Sequence, residues 1–491
     1  MALNIALIAS EIAPLAKTGG LADVTNALTR YLHGAGHDIR PFMPLYSTID
    51  TAHLRIAPID FLRDVPLQIG PHRYRYSVLS AQLPGSRAPV YLIDCPVLYG
   101  RGSIYTTDAD EHLRFLALTR AALECCQRMV WSPHILHCHD WHSSFGPLFL
   151  KTIYAWDRLF QSTRSVLTLH NVGYQGVFSA GAVDDLQLGM GRHFIHQEDL
   201  AAGHINSLKH GILYADEITT VSPTYAKELR SAEFGMGLEG VIAGRGDAVI
   251  GILNGVDYRE WNPRTDRYLP RHYDATRLSV KGQLKGVLAD RLGLDCGDGT
   301  PLAGVVSRLV YQKGIDLLVE ALARVFASRD LACVVLGSGE EPYERALTDL
   351  ARAYPARLAF QRGYDEQLAH WIEAASDLYI MPSRYEPCGL NQMYSLHYGS
   401  VPIVRETGGL ADSVEPFDPA SGKGTGFLFK EFDAAALERT LSQALDLYRA
   451  PTLWKRMVHN GMAQDFSWAR RGAEYVRVFE RLIEQPMSAA G

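Results

Sequence analysis

Cysteine is scarce in this chain. The seven present among 491 residues, Cys95, Cys125, Cys126, Cys138, Cys296, Cys333 and Cys388, are odd in number, scattered and without a C-x-x-C pair. Neither a zinc module nor a disulfide framework is indicated. Charge of one sign is equally thin: 48 Lys and Arg stand against 54 Asp and Glu, a net of −6. No basic tract is available to neutralise a phosphate backbone, so nucleic acid is excluded as the expected partner. No apolar run approaches the ~18–20 residues that span a bilayer. The opening run from Leu3 to Ala9 has no basic segment before it and is too short for a signal peptide. No membrane association is expected, and a reducing cytoplasm suits the thiols.

What the chain does have is an ordinary globular composition, 47% hydrophobic and 21% charged, and at roughly 100–200 residues per domain its length predicts two to four domains. Short β-rich apolar runs alternate with helical periodicity throughout, the pattern of parallel sheets flanked by helices. The first series has strands at 3–9, 38–43, 89–94, 134–138, 165–169, 217–221 and 248–253. A second begins near 302–306 and continues at 331–336, 357–361, 377–381, 401–404 and 426–429. The stretch 254–300, rich in Asn, Gly, Pro and charge, reads as a linker or hinge. The expected organisation is therefore an N-terminal domain over 1–253, a C-terminal domain over 254–465, and a tail over 466–491. The tail carries a helical pattern through Trp468, Tyr475 and Phe479, able to pack across either domain, back onto the first included.

One hexapeptide occurs twice: Thr18-Gly19-Gly20-Leu21-Ala22-Asp23 and Thr407-Gly408-Gly409-Leu410-Ala411-Asp412. Both copies follow a strand-like run and open a helical pattern, so each half carries a glycine turn whose N–H groups and helix dipole suit an anion. In the second half, Ser307-Arg308-Leu309-Val310-Tyr311-Gln312-Lys313-Gly314 follows a strand. Its guanidinium fork and point charge can share the charge of a diphosphate, although a solvated loop is the plainer reading. Pro382-Ser383-Arg384-Tyr385-Glu386-Pro387-Cys388-Gly389-Leu390 follows another strand. It places a carboxylate where it can hold sugar hydroxyls, or merely favour a helix N-terminus. Cys388 lacks a paired histidine motif and reads as a small buried residue. In the first half, His137-Cys138-His139-Asp140-Trp141-His142 has three histidines at odd spacing and nothing that completes a ligand set, so no metal is expected there. A sugar-binding lip of Asp140 and Trp141 fits better, with His170 and Asn171 at a neighbouring strand end.

These motifs together, Lys17 to Val24, Arg308 with Lys313, Glu386 to Leu390 and Thr407 to Asp412, make the chain strongly resemble the family of bacterial glycogen and plant starch synthases, from Leu3 to about residue 485. His139 to His142, His170-Asn171, Asn254 to Asp257 and Gly363-Tyr364 fit the same likeness. The resemblance implies a glycosyltransferase type B fold, two Rossmann-like domains facing across a deep cleft. It further implies transfer of glucose from ADP-glucose to the non-reducing-end 4-hydroxyl of an α-1,4-glucan such as glycogen, with retention and without metal or cofactor.

The same resemblance implies roles for particular residues. Arg308 and Lys313 would carry the diphosphate, supported by the N–H groups of Gly19, Gly20, Gly408 and Gly409, with Lys17 and Asp23 nearby. Glu386 would hold the glucosyl ring, as would Asp140 and Asn171. His170 would lie by the anomeric carbon, through its backbone carbonyl. Tyr364 and Tyr99 are candidate adenine or sugar contacts, and Asn254, Cys388, Gly389, Leu390 and Thr407 complete the expected binding set. One departure stands out: many retaining relatives carry a second Glu eight positions after the first, and here that position is Tyr394. The competing readings are another retaining sugar transferase of the same fold and a non-catalytic glucan-binding protein.

Overall fold

The computed structural model describes residues 1–297 and 299–485; the expected tail runs past them, and its last six residues lie outside the described set. The chain separates into two compact units. The first comprises Met1–Val221, Ala226–Gly255 and the chain from Trp468 onward; the second comprises Ser222–Tyr225 and Val256–Ser467.

In the first unit seven strands run parallel. Their spatial order is Val249–Gly251, Glu217–Thr220, Arg164–Leu169, Ile135–His139, Asn4–Ile8, Asp38–Pro44 and Pro89–Asp94. Ile135–His139 and Arg164–Leu169 are buried almost from end to end, as strands covered by helices on both faces must be. An antiparallel edge, His72–Gln82 with Ala57–Pro58 and Val65–Ile69, extends the sheet. The helix Gly20–Gly34 buries Leu21, Val24, Leu28 and Leu32 along one face. The tail helix Trp468–Glu484 belongs to this same unit: Gly472 lies flat on the Tyr31 ring, and Tyr475 and Phe479 pack around His137.

The second unit is a six-stranded, all-parallel sheet. In chain order its strands are Leu302–Val306, Ala332–Gly337, Leu358–Arg362, Leu378–Met381, Val401–Arg405 and Phe427–Phe429. Numbered one to six, they lie in the order 3-2-1-4-5-6, the arrangement of a dinucleotide-binding sheet. The two-residue period of a strand sorts its core. Cys333 and Val335 join Leu318, Leu322, Leu437 and Leu441 on one face, while Ala332, Val334 and Leu336 join Leu284, Leu288 and Ile372 on the other. Leu284 and Leu288 come from the helix Ser279–Leu292, which corrects the reading of 254–300 as linker throughout. That helix has apolar residues in phase, but its charged neighbours and the surrounding Pro and Gly masked the pattern.

In both sheets the order of connections reverses once, between Asn4–Ile8 and Ile135–His139 in the first and between Leu302–Val306 and Leu378–Met381 in the second. Ligands of open α/β sheets bind beyond the carboxyl ends of the strands at such points. The Lys17–Asp23, Asp140, Arg308–Lys313 and Glu386 motifs follow those four strands, and His170-Asn171 and Thr407–Asp412 follow the strands next to them.

Candidate active site

In the second unit, three loops leave neighbouring strand ends and lock onto one another. Arg384 N–H donates to the Gln312 carbonyl at 2.9 Å, and Gln312 Nε2 donates to the Tyr385 carbonyl at 3.2 Å. Gly314 has a φ of +64°, and a Cβ there would sit 2.1 Å from the Pro382 oxygen; only glycine permits that approach. Lys313, just before it, reaches Glu386, with Nζ 2.5 Å from Oε2, and Ser383 Oγ donates to the same oxygen at 2.9 Å. The Glu386 side chain is 6% exposed and that of Lys313 19%. Arg308 is exposed, and its guanidinium has no hydrogen bond or ion pair among the described residues. A buried, oriented carboxylate, a cation against it and a second, uncommitted cation are thus assembled at one switch point.

The two copies of the hexapeptide serve different ends. In the second copy Thr407 is fully buried, and Gly408, at φ +45°, leaves no room for a Cβ, which would fall 2.0 Å from the Glu386 oxygen. Gly409 N–H already bridges the Glu386 and Pro387 carbonyls at 3.1 and 3.2 Å. Asp412 accepts from Thr224 N–H and Oγ1, both at 2.7 Å. Gly409 is therefore corrected from a diphosphate donor to a packing residue: its N–H is committed to holding the Glu386 loop. The first copy is open. A Cβ at Gly19 or Gly20 would meet nothing within 4 Å, so the fold itself does not demand glycine there. The helix Gly20–Gly34 starts without a side-chain cap, leaving first-turn N–H groups for a ligand. Lys17 and Asp23 pair at 2.7 Å on the exposed lip of this turn.

At the first unit's switch point, burial dominates the chemistry. Asp140 opens a short helix at φ +51°, a conformation costing a non-glycine residue on the order of 1 kcal/mol or more. Burial pushes its carboxyl up to about 7, against the pull of the His170 and Asn171 N–H groups; the His170 bond is 2.7 Å. Burial pulls the His170 and His137 imidazoles down to about 3, and those of His139 and His142 also well down. All four are neutral near pH 7. His139 Nδ1 lies 2.9 Å from His170 Nε2, His137 Nε2 lies 2.7 Å from Thr168 Oγ1, and His142 stacks on Tyr105. Asn171 Oδ1 accepts from Gly173 N–H at 2.9 Å, which leaves its Nδ2 to present to a hydroxyl. A groove beside them is lined by Thr106, Asp108, Trp141, Tyr174 and Phe178, apolar rings edged by polar groups, as sugar faces require.

Residues 4–244 match the family model of the starch synthase catalytic domain, and residues 294–462 match that of glycosyl transferases group 1. The glycogen synthase of Koribacter versatilis is 42% identical, over 99% of this chain and 100% of its own length. Glycogen synthase 1 of Geobacter sulfurreducens is also 42% identical, over 98% of this chain and 97% of its own. The chain belongs to the glycogen and starch synthase family. The solved catalytic domain of starch synthase IV from Arabidopsis thaliana, bound to ADP and acarbose, superposes with a TM-score of 0.90 at 33% identity, covering 99% of this chain and 100% of that one. Sucrose-phosphate synthase from Thermosynechococcus elongatus shares the fold, with a TM-score of 0.61 at 18% identity over 97% of this chain and 98% of its own. The architecture is glycosyltransferase type B, and the chain is a glycosyltransferase.

Within that family frame, one expected contact is corrected outright. Tyr99 is fully buried, its hydroxyl donates to the Arg114 carbonyl at 2.8 Å and its ring meets Tyr46 edge-on, so it is a core residue with no face for adenine. Tyr364, by contrast, is 72% exposed just past the end of the strand Leu358–Arg362. Asn254 is buried, and its Oδ1 has no partner among the described residues. Cys388 is buried, with its carbonyl accepting from Gln392 Nε2 at 3.0 Å. Gly389 and Leu390 are partly exposed at the head of the helix Asn391–Tyr398. Tyr394 points its ring into a stack with Trp261, centroids 4.1 Å apart and planes 5° from parallel. Glu11 stands outside every motif legible in the sequence. This buried acid accepts from Thr18 N–H, from Thr18 Oγ1 at 2.7 Å and from Tyr105 Oη, and so fixes the Lys17–Gly20 turn. The signal was an acid directly after the apolar strand end Ala9-Ser10.

Proposed function

We propose that this enzyme transfers glucose from ADP-glucose to the 4-hydroxyl at the non-reducing end of an α-1,4-glucan, keeping the α configuration and releasing ADP. The observation that carries this reading is the Arg308, Lys313 and Glu386 group at the switch point of the dinucleotide-type sheet. Cleaving the glycosidic bond to a diphosphate builds negative charge on the departing phosphate oxygen. Lys313, held against Glu386, and the uncommitted Arg308 suit that charge, and removing a preorganised group of this kind lowers kcat by about 10²–10³. Lys313 stabilises it as a point charge and Arg308 as a fork. Glu386, buried and held by Ser383, is an acceptor-only group in its ionised form and takes donors from the sugar hydroxyls.

In the first unit, the open Lys17–Gly20 turn offers N–H groups and an ammonium suited to an anion. The imidazoles of His170, His137, His139 and His142 are neutral near pH 7 and do not act as acids there. Leaving-group charge is therefore met by fixed cations, and the His170 backbone carbonyl, with no titration of its own, can oppose positive charge developing at the anomeric carbon. Attack from the face the phosphate leaves, with that phosphate taking the acceptor proton, gives retention without an enzyme nucleophile. Trp141, Tyr174 and Phe178 supply the apolar faces for an acceptor glucan. The seven free cysteines suit a cytoplasmic setting, and no helix among the described residues is long and apolar enough to cross a membrane.

The test is incubation with ADP-[14C]glucose and glycogen, followed by β-amylase digestion. Label released as maltose supports chain-end α-1,4 extension, whereas no incorporation above a Glu386→Ala control overturns the reading.

A further inference from the structure

We infer that the second unit carries a binding site for one divalent zinc-like cation, formed by Glu260, Glu366 and His370 and separate from the chemistry of transfer. One ligand atom from each of these residues lies within 4.8 Å of the other two. Glu366 and His370 are four apart on the helix Glu366–Ala375, which sets them on one face. Glu260 comes from the turn just after the chain enters the second unit, where its N–H donates to the Asp257 carbonyl at 3.1 Å.

The histidine supplies the independent argument. Its side chain is 1% exposed, and its Nε2 is buried with no hydrogen-bond partner. Leaving such a nitrogen unsatisfied is unfavourable, so it calls for a partner. Its Nδ1 lies 2.8 Å from Asp266 Oδ2, an oxygen that also accepts from Tyr398 Oη at 2.6 Å. An oxygen already receiving a hydroxyl proton makes Nδ1 the protonated nitrogen, and Nε2 then carries the lone pair. This carboxylate–histidine arrangement is the one that orients and activates metal-ligating imidazoles. The ring cannot swing away, because Trp261 lies parallel to it, centroids 3.8 Å apart at 9°, and Tyr268 closes on it at 4.7 Å.

One imidazole nitrogen with two carboxylates favours zinc-type ions over magnesium or calcium, which prefer all-oxygen sets. Donors about 2.0–2.2 Å from one zinc ion are somewhat closer together than 4.8 Å. Glu260 is exposed, and Glu366 is half-buried with its carboxylate hydrogen-bonded to the Tyr268 hydroxyl, so closing the gap exchanges that bond for the ion, and water would fill the remaining coordination. The bound ion would pin the turn at 257–261 to the helix Glu366–Ala375. Trp261 is clamped between His370 and Tyr394. The ion would therefore also stiffen the stack that reaches the helix Asn391–Tyr398, which follows the Glu386 loop.

The full chain, stripped with chelator and dialysed, is titrated with ZnCl2. Zinc retained through gel filtration is counted by plasma mass spectrometry, and melting is followed with and without the ion. One Zn2+ per chain, a higher Tm with zinc, and an affinity at least tenfold weaker in both Glu260→Ala and Glu366→Ala support the site. Equal zinc binding by a Glu260→Ala/Glu366→Ala double variant would move the ion to the cysteines or other histidines and overturn it. Failure of the wild type to retain zinc, or equal competition by Mg2+, overturns it as well. Neither glutamate belongs to the transfer machinery, so the outcome stands apart from that of the glucosyl-transfer assay.

Discussion

Removing Lys313 should damage turnover and stability by separable amounts. Its Nζ lies 2.5 Å from Glu386 Oε2, and the Glu386 side chain is only 6% exposed. In Lys313→Ala that carboxylate keeps Ser383 Oγ at 2.9 Å but loses its charged partner. Leaving a buried ionic group short of a partner costs about 1–3 kcal/mol, a fall in Tm of roughly 2–4 °C per kcal/mol for a unit this size. If the same ammonium stabilises the departing diphosphate, kcat falls a further 10²–10³-fold, about 2.7–4 kcal/mol. Glu386→Ala should be equally slow. Removing both partners eliminates the unpaired charge, so the double variant should be more stable than the two single losses add up to, by about 1–3 kcal/mol. Its turnover should be little worse than that of the slower single variant. Urea unfolding and initial rates with saturating donor complete the cycle. A Lys313→Ala enzyme with kcat within threefold of wild type would refute the leaving-group role, and strictly additive stabilities would refute the coupling.

The two hexapeptides yield opposite expectations. Gly408→Ala forces a Cβ within 2.0 Å of the Glu386 oxygen and should lower stability by more than about 2 kcal/mol while displacing the Glu386 loop. Gly19→Ala meets no protein atom within 4 Å; it should melt like wild type yet raise the KM for the donor, and a wild-type KM would argue against ligand approach there. Asp140 gives a pH signature. Burial raises its carboxyl from an ordinary 3.8 to about 7 in the folded chain, so the unfolded chain releases this proton first. Between about pH 4 and 7 the wild type should therefore lose stability relative to Asp140→Asn, by on the order of a few kcal/mol. A difference flat across that range, read by urea unfolding, would show that the carboxyl is not perturbed.

Much of this was legible in the sequence because buried parallel strands are continuous apolar runs, and every run placed in the second half coincides with a strand. The antiparallel edge at 57–82 was not, since its half-exposed residues alternate and its pieces are short. Strand-end position correctly singled out Lys313 and Glu386 as neighbours of a switch point. It could not tell that the second glycine pair spends its N–H on the Glu386 loop, because identical letters at 18–23 and 407–412 hide different surroundings. Tyr99 misled because the family likeness says nothing of its surroundings, and only burial reveals it as core. Glu11 and the Trp261–His370 stack depend on residues brought together from distant segments, which no local pattern encodes.

The proposed transfer from ADP-glucose is assisted by protein cations and uses no catalytic metal. Its most direct measurement is kcat/KM for ADP-glucose and for UDP-glucose, with glycogen as acceptor, in the presence of EDTA. Strong preference for ADP-glucose is expected, at a rate unchanged by the chelator. Equal use of both donors, or activity abolished by EDTA and restored by a divalent ion in the Glu260→Ala/Glu366→Ala double variant as in the wild type, would contradict a metal-free transfer from ADP-glucose.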